Sequence, residues 1–168
     1  MSKAELLRDL DNEYKRFEAL LGDIGEGRMD QPGFAGHWSI KDIVAHITSW
    51  RRRTVQRFQA VARGEDAPPP PSPADLKADD SINAWLYERE RGKSVRDVLD
   101  DSRQVFQQMR AAIDALPEPT LQDPGSFPWL EGQPLTAAVL FSHFHDEHEA
   151  GMRAWLAHQE TSARAASS

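Results

Sequence analysis

Apolar residues recur at steps of three and four through four long stretches of this sequence, and this spacing is the strongest constraint on its fold. The first stretch follows Ser2 and Glu5, which have the spacing of a helix-capping box, and the second follows Ser39 and Asp42 in the same way. No stretch of the sequence shows a convincing alternation of polar and apolar residues, so a β-sheet is not expected. The sequence predicts an all-α protein in which each helix buries one face.

The order of these stretches predicts the architecture. Helices are expected at about residues 2–21, 39–63, 82–90, 94–116 and 135–158. Residues 64–80 contain the run Ala-Pro-Pro-Pro-Pro-Ser-Pro, which lacks the backbone donors of a helix and indicates an extended crossover. Four long helices with a long crossover between the second and third are typical of a four-helix bundle. We expect a single domain over residues 1–160 and a flexible tail over residues 161–168.

Composition and charge narrow the class of partner. The formal net charge is −7, from 20 lysines and arginines against 27 acidic residues, and the basic residues are scattered, which argues against a nucleic-acid partner. There is no cysteine, so thiol chemistry would need an external low-molecular-weight thiol. The sequence has neither an apolar run of about 18 residues nor the apolar core of a signal peptide. We therefore expect a cytoplasmic protein with no membrane partner.

The last predicted helix carries a concentration of histidines, His143, His145 and His148. Each residue of an α-helix advances by about 100°, so His145 and His148 lie about 60° apart and can converge, whereas His143 lies about 140° from His148. His148 continues the apolar face of this helix, and its ring is expected to point inward. Glu149, four residues after His145, is expected to orient that ring or to supply an oxygen ligand.

A third group has to come from another helix, and His46 of the second predicted helix is the candidate. It lies beside Trp50, about 110° from the centre of the apolar face, so it reaches the site only if the last helix packs on that side. Three neutral imidazoles with one open position suit zinc, nickel or another borderline divalent cation. The alternative is that the histidines form a hydrogen-bonded polar layer of the core or face solvent.

Two further groups of polar residues bear on a pocket. Arg51, Arg52 and Arg53 are consecutive, so they point in different directions on a helix and are expected to form a solvated face instead of one anion clamp. Tyr87 lies in a segment that mixes aromatic and charged residues, and we expect it at the mouth of a pocket at the end of the bundle.

Four segments resemble a known family: WSIKDIVAHITSW, SINAWLYERERGKSV, FPWLEGQPL and SHFHDEHEAGMRAWL. Across residues 4–158 the sequence is similar to the DinB-like superfamily of four-helix bundles, nearest the ClbS/DfsB branch. The resemblance implies a homodimer and a metal bound by one histidine of the second helix and two histidines four residues apart in the last. His46 and His148 match two of these positions. The middle position falls on Phe144, which cannot bind a metal, so His145 or Glu149 is the expected substitute.

The resemblance also implies an activity. DinB-like proteins include thiol-dependent transferases and isomerases, which favours a hydrolase or thiol-dependent transferase acting on a small electrophilic molecule. In this first hypothesis His46, His145 and His148 hold a metal ion or act as general acid and base. Trp50 and Tyr87 would line the pocket and contact the bound cofactor or substrate.

Two alternatives stay open. The ClbS-like branch resembles a self-protection hydrolase that opens the cyclopropane of a DNA-alkylating metabolite without an evident metal. A protein of this kind, whether hydrolase or sequestering protein, would use Tyr87, Glu88 and Glu149 as its polar groups. Of the residues considered, His148, Glu149 and Tyr87 are the predicted catalytic groups. The other alternative is a non-catalytic stress or interaction bundle.

Overall fold

The computed structural model describes residues 1–167, and its regular structure is helical. The α-helices of this part of the chain are, in order, α1 (Lys3–Ile24), α2 (Ile40–Arg63), α3 (Asp79–Glu90), α4 (Val95–Asp114), α5 (Glu118–Gln122), α6 (Ala137–Leu140), α7 (Ser142–Phe144) and α8 (Ala150–Ser167). A π-helical turn, His145–Glu149, joins α7 to α8. Within residues 1–167 the β pairing is confined to one isolated bridge between Ala35 and Trp38. The all-α prediction is confirmed.

The first two long helices begin at the caps that the sequence predicts. The side chain of Ser2 accepts a hydrogen bond from the backbone of Glu5, and the Glu5 carboxylate accepts one from the backbone of Ser2. Ser39 and Asp42 form the same reciprocal pair at the start of α2. Gly64 ends α2 with a φ of 66°, a left-handed conformation that glycine adopts without strain. The start and the end of α2 are therefore both fixed by local interactions.

The core lies between α2, α4, α1 and the C-terminal helices. α2 packs most extensively on α4, and α1 contacts α4, α6 and α8. Fully buried side chains come from each of these elements, among them Phe17, Phe58, Met109 and Phe141, and the loop residue Phe127 joins them. Each buried phenylalanine contributes about 1.5–3 kcal/mol to the free energy of unfolding. This packing holds α2 against the C-terminal helices, where the histidines lie.

Several boundaries differ from the sequence prediction, and the single helix predicted over residues 135–158 is divided into α6, α7, the π-helical turn and α8. α3 begins at Asp79, so it occupies the end of the predicted crossover. α8 continues to Ser167, whereas the sequence analysis ended this helix near residue 158 and placed a tail at residues 161–168. Residues 159–167 contain strong helix formers and neither glycine nor proline, so nothing local stops the helix. Residue 168 of the predicted tail lies outside the described residues.

Hydropathy separates these helices from membrane spans. Among the residues that the structure describes, no helix combines the length and the apolar character needed to cross a bilayer.

The cap of α2 can be tested by Ser39→Ala. We expect this change to lower the free energy of unfolding by about 1 kcal/mol, because the backbone amide of Asp42 loses its acceptor. Urea unfolding followed by circular dichroism measures the effect. The control is Thr161→Ala on the exposed part of α8, which should change the free energy by less than about 0.5 kcal/mol. Equal effects of the two changes would contradict the role of the cap.

Candidate functional site

Three histidine side chains from two parts of the chain meet at one point. Nε2 of His46, on α2, lies 3.1 Å from Nε2 of His143, on α7. Nε2 of His148, in the π-helical turn, also lies 3.1 Å from Nε2 of His143. One nitrogen of each ring lies within 4.8 Å of those of the other two. His46 is buried and the other two rings are half-buried, so the cluster lies at the edge of the core.

The π-helical turn brings His143 and His148 together. Residues five apart diverge by about 140° in an α-helix. A π-helical turn has hydrogen bonds between residues five apart and advances by a smaller angle per residue, so such residues lie closer together in angle. The turn at His145–Glu149 gives this spacing, and the ring centroids of His143 and His148 are 4.9 Å apart. The prediction that His143 points away from His148 is wrong, because it assumed α-helical geometry throughout.

His145 does not join the cluster. Its Nε2 lies 2.7 Å from Oε2 of Glu13 on α1, and its Nδ1 lies 2.9 Å from Oε1 of Glu149. The predicted contact between His145 and Glu149 is confirmed, but the ring that it orients faces α1. Regular α-helical geometry predicts His145 beside His148, but the wider turn places it on another side of the helix. Glu149 is engaged there too, with Oε2 3.5 Å from Nε of Arg153.

The electrostatic surroundings of His145 differ from those of the cluster. Burial acts to lower the pKa of His145, but hydrogen bonds to Glu149 and Glu13 outweigh it and raise this pKa. Burial likewise acts to raise the pKa of Glu149, and the bond to His145 lowers it overall. The two carboxylates therefore favour the protonated form of His145, which links α1 to the last helix.

The three clustered histidines are neutral at physiological pH. Burial, reinforced by repulsion from the other two rings, lowers the pKa of His46 to about 3. Burial and the neighbouring His143 lower the pKa of His148 to about 4. Burial and the charge of Arg51 lower the pKa of His143. Neutral imidazole is the form that binds metal ions, so the cluster needs no proton release at neutral pH to become a ligand set.

Hydrogen bonding alone does not account for this arrangement. Nε2 of His143 offers either one hydrogen or one lone pair, so at most one of its two 3.1 Å contacts can be a hydrogen bond. Nδ1 of His46 is buried without a hydrogen-bond partner, so this ring makes its polar contact through Nε2. Nitrogen ligands at the zinc–nitrogen distance, in tetrahedral geometry, are about 3.3 Å apart. The donor set therefore fits a divalent cation such as zinc or nickel.

A cavity of about 420 Å³ opens beside the cluster. His46 and His143 line it, together with residues of α2 and of the loop before α6. Glu147 also lines it, with Oε2 3.3 Å from Nε2 of His143 and 4.0 Å from Nε2 of His148. The Glu147 side chain is 65% exposed. The cluster thus faces a space large enough for a small molecule and has a carboxylate at its solvent edge.

Trp50 and Tyr87, which were both predicted to line a pocket, lie in two different places. Trp50 lines the cavity, and its indole Nε1 donates a 2.9 Å hydrogen bond to Asn83 of α3. Tyr87 lies outside the lining of this cavity and stacks on Trp38, with ring centroids 5.1 Å apart and planes at 12°. Trp38 in turn contacts the His46 ring at 5.6 Å. Tyr87 therefore contacts Trp38, which in turn contacts a ring of the cluster.

Arg51 is buried, contrary to the predicted solvated face. Its residue exposure is 6%, and its guanidinium lies 4.7 Å from the ring centroid of Phe141 and 5.5 Å from that of Phe17. The prediction considered only the directions of three consecutive arginines on an isolated helix. Tertiary packing against aromatic rings decides the position of Arg51.

Sequence reasoning missed His143 and Glu147 as site residues. The available signal was the segment between the buried Phe144 and Met152, where residues 145–149 read His-Asp-Glu-His-Glu. No apolar residue in that run fixes the phase of an α-helix. His143 and His148 are five residues apart, a spacing that is compatible with a π-helical turn in this segment.

Comparison with known proteins gives two matches. A family model described as the DinB superfamily matches residues 9–152. The crystal structure of a protein from Streptococcus pneumoniae, a target of the Northeast Structural Genomics Consortium, is similar to this chain with a TM-score of 0.69 and 16% sequence identity. The match covers 92% of this chain and 90% of that chain, and at this identity it shows the fold alone. No curated protein sequence matches the chain.

The role of His145 can be tested by His145→Gln. The charged link to Glu13 and Glu149 is lost, so the free energy of unfolding should fall by about 1–3 kcal/mol at a pH near 5.5. The folded pKa of His145 is raised, so its contribution is complete below the unfolded pKa of about 6.5 and is lost as the pH rises through the folded value. Denaturant unfolding of the metal-free protein should therefore show the two proteins converging at alkaline pH.

The control for this experiment is His158→Gln, at an exposed position of α8, which should leave stability unchanged. A difference between wild type and His145→Gln that stays constant as the pH rises would contradict the charged link.

Proposed function

The chain belongs to the DinB superfamily, and from this premise we propose that it is a metal-dependent hydrolase or thiol-dependent transferase that acts on a small electrophilic molecule. The observation that carries the proposal is the convergence of three neutral Nε2 atoms, from His46, His143 and His148, in a cluster of which His46 and His143 line a cavity. A buried histidine beside a cavity favours a site over a non-catalytic bundle, for which exposed histidines and no cavity are expected.

The ligand set of this proposal differs from the sequence prediction by one residue. His46, His143 and His148 would hold the ion, and His145 would support the helix through Glu13. A divalent cation at this position supplies Lewis-acid polarisation and lowers the pKa of a water or thiol that it binds. The chain has no cysteine, so a transferred thiol would come from an external low-molecular-weight molecule.

Other side chains of the cavity supply proton transfer and binding. Glu147 lies at the edge of the histidine cluster, where its Oε2 can accept a proton from a nucleophile. It takes the role that the sequence analysis gave to Glu149, which is engaged with His145. Trp50 forms an apolar wall whose orientation is fixed by the bond to Asn83. One chain supplies all of these residues, so the homodimer that the resemblance implies is not needed to complete the site.

A metal-free enzyme of the ClbS/DfsB kind is the second candidate. The contact between Nε2 of His46 and Nε2 of His143 supports it, because two neutral imidazoles can act as a general base and its partner. The stacked rings of Trp38 and Tyr87 would then form the binding surface beside His46. In this candidate Tyr87 and Glu88 of α3 would supply the polar groups, and the role predicted for Glu149 is not kept, because His145 holds that carboxylate toward α1.

Metal binding can be tested with the matched pair His143→Ala and His145→Ala. Isothermal titration of the metal-free protein with zinc should give one site per chain. His143→Ala should weaken binding by at least about 100-fold, because a ligand is removed, and His46→Ala and His148→Ala should do the same. His145→Ala should bind zinc within about threefold of wild type. Absence of zinc binding, or an equal loss in His145→Ala, would contradict this ligand set.

The activity can be tested with a panel of small electrophiles, namely an epoxide, an activated aryl halide and a cyclopropyl ketone, each with and without an external thiol. The zinc-loaded protein should consume at least one of them. Glu147→Gln should lower turnover by about 10²–10⁴-fold, because it removes the proton acceptor, while zinc affinity stays within about tenfold.

The outcomes of this assay separate the candidates. Cyclopropane opening that persists in metal-free protein and in His143→Ala would favour the metal-free hydrolase, and survival of cells challenged with an alkylating toxin would then be the next readout. Saturable zinc binding without turnover of any electrophile would contradict the enzymatic proposal.

A further inference from the structure

We propose that Arg51 forms an anion-binding subsite in the wall of the cavity, so that the molecule bound beside His143 carries an anionic oxygen group, a carboxylate or a phosphate. The inference rests on the proposed function for its catalytic meaning, because it names the class of substrate that the same cavity takes. The binding itself depends on Arg51 and can be measured without a metal.

Arg51 is a buried cation with unused hydrogen-bonding capacity. The residue is 6% exposed, and its Nη1 is buried without a hydrogen-bond partner. A guanidinium carries five N–H donors and is rarely buried unless it is paired. Burial lowers the pKa of Arg51 to about 10, and the neighbouring group that acts in the opposite direction is Tyr14, not a carboxylate. Arg51 is therefore charged at neutral pH and has no acidic partner among the described residues.

Aromatic rings hold the guanidinium in place. Its central carbon lies 6.0 Å from the ring centroid of Tyr14, 5.5 Å from that of Phe17 and 4.7 Å from that of Phe141. Ring faces stabilise a cation, but they accept none of the directed hydrogen bonds that carboxylate or phosphate oxygens accept. The contacts therefore fix the position of Arg51 and leave its N–H donors for a ligand.

The charged residues that line the cavity determine where in it an anionic group lies. Arg51 lines the cavity together with His143, and it is near enough to lower the pKa of that histidine. The carboxylates of the lining, Asp79, Glu131 and Glu147, belong to exposed residues. Arg57, which is half-buried, is the other cation of the lining, and both arginines belong to α2. An anionic group is thus attracted to the α2 side of the cavity and repelled by the exposed carboxylates. The rest of the molecule would then lie beside the histidine cluster.

The shape of the guanidinium and the size of the cavity define the ligand further. The planar fork of arginine matches two oxygens of a carboxylate or a phosphate. A cavity of about 420 Å³ is near the lower end of the range for small-molecule sites. The structure thus favours a small organic anion over a bulky neutral molecule.

The test uses the full chain in its metal-free form, titrated separately with acetate and with inorganic phosphate at constant ionic strength. Each titration is followed by the arginine Nε–Hε resonances in NMR spectra. The resonance of Arg51 should shift saturably with at least one anion, and the tighter of the two identifies the group. Arg51→Met should weaken this binding at least tenfold. Arg52→Met changes the next residue of α2, which is half-buried, and should leave the binding unchanged.

Stability separates a binding role from a structural one. Arg51→Met replaces a buried, unpaired charge by an apolar chain of similar length, so its Tm should be equal to or above that of wild type. A lower Tm together with no saturable shift in wild type would overturn the proposal, and so would equal affinities in Arg51→Met and Arg52→Met. If Arg51→Met does not fold, the test uses Arg51→Lys together with the Arg51 resonance of wild type. The lysine variant keeps the positive charge but lacks the planar fork, so its affinity for the anion should fall.

The same variants keep this inference distinct from the metal proposal. His148→Ala should lose zinc binding and keep the anion-dependent shift of Arg51. Arg51→Met should lose the shift and keep zinc binding. If the wild-type protein binds zinc but neither anion, the anion subsite alone is overturned. If it binds an anion but not zinc, the metal centre alone is contradicted.

Discussion

The π-helical turn between α7 and α8 sets the register on which the rest of the site depends. It brings His143 next to His148 and turns the intervening His145 toward α1. One turn thus directs neutral imidazoles to the cavity and a charged imidazole to a pair of carboxylates. The resemblance to DinB-like proteins implies two histidines four residues apart. Here they are five apart, and the wider turn accommodates the additional residue.

Burial lowers the pKa of both kinds of basic group at the cavity, but it leaves them in different charge states. It lowers the pKa of His46 to about 3 and of His148 to about 4, so these rings are neutral and offer lone pairs. It lowers the pKa of Arg51 only to about 10, so that side chain keeps its charge. The same low-polarity environment therefore produces a neutral ligand set and a retained cation side by side. Capping and core packing of α2 fix the position of the helix that carries His46 and Arg51.

The sequence predicted the fold well, because capping residues and the three-and-four spacing of apolar residues are local signals. His148 could be found in the same way, because it continues the apolar face of its helix. His46 and Trp50 lie on the flank of α2, so their place in the site depends on how the last helix packs. The place of His143, instead of His145, in the cluster could not be predicted from a constant rotation of about 100° per residue. The π-helical turn that changes this rotation depends on packing at both of its ends. Glu13 contacts His145 across 132 positions of the sequence, and no local pattern reports such a contact. The burial of Arg51 likewise depends on rings from α1 and the last helices.

We expect His143, and not His145, to complete a metal site with His46 and His148. A crystal structure of the zinc-loaded protein, with anomalous scattering recorded at the zinc absorption edge, would locate the ion. One anomalous peak should lie about 2.0–2.1 Å from Nε2 of each of these three histidines. A peak between His145 and Glu149, or no peak beside the cluster in crystals that contain stoichiometric zinc, would contradict this expectation.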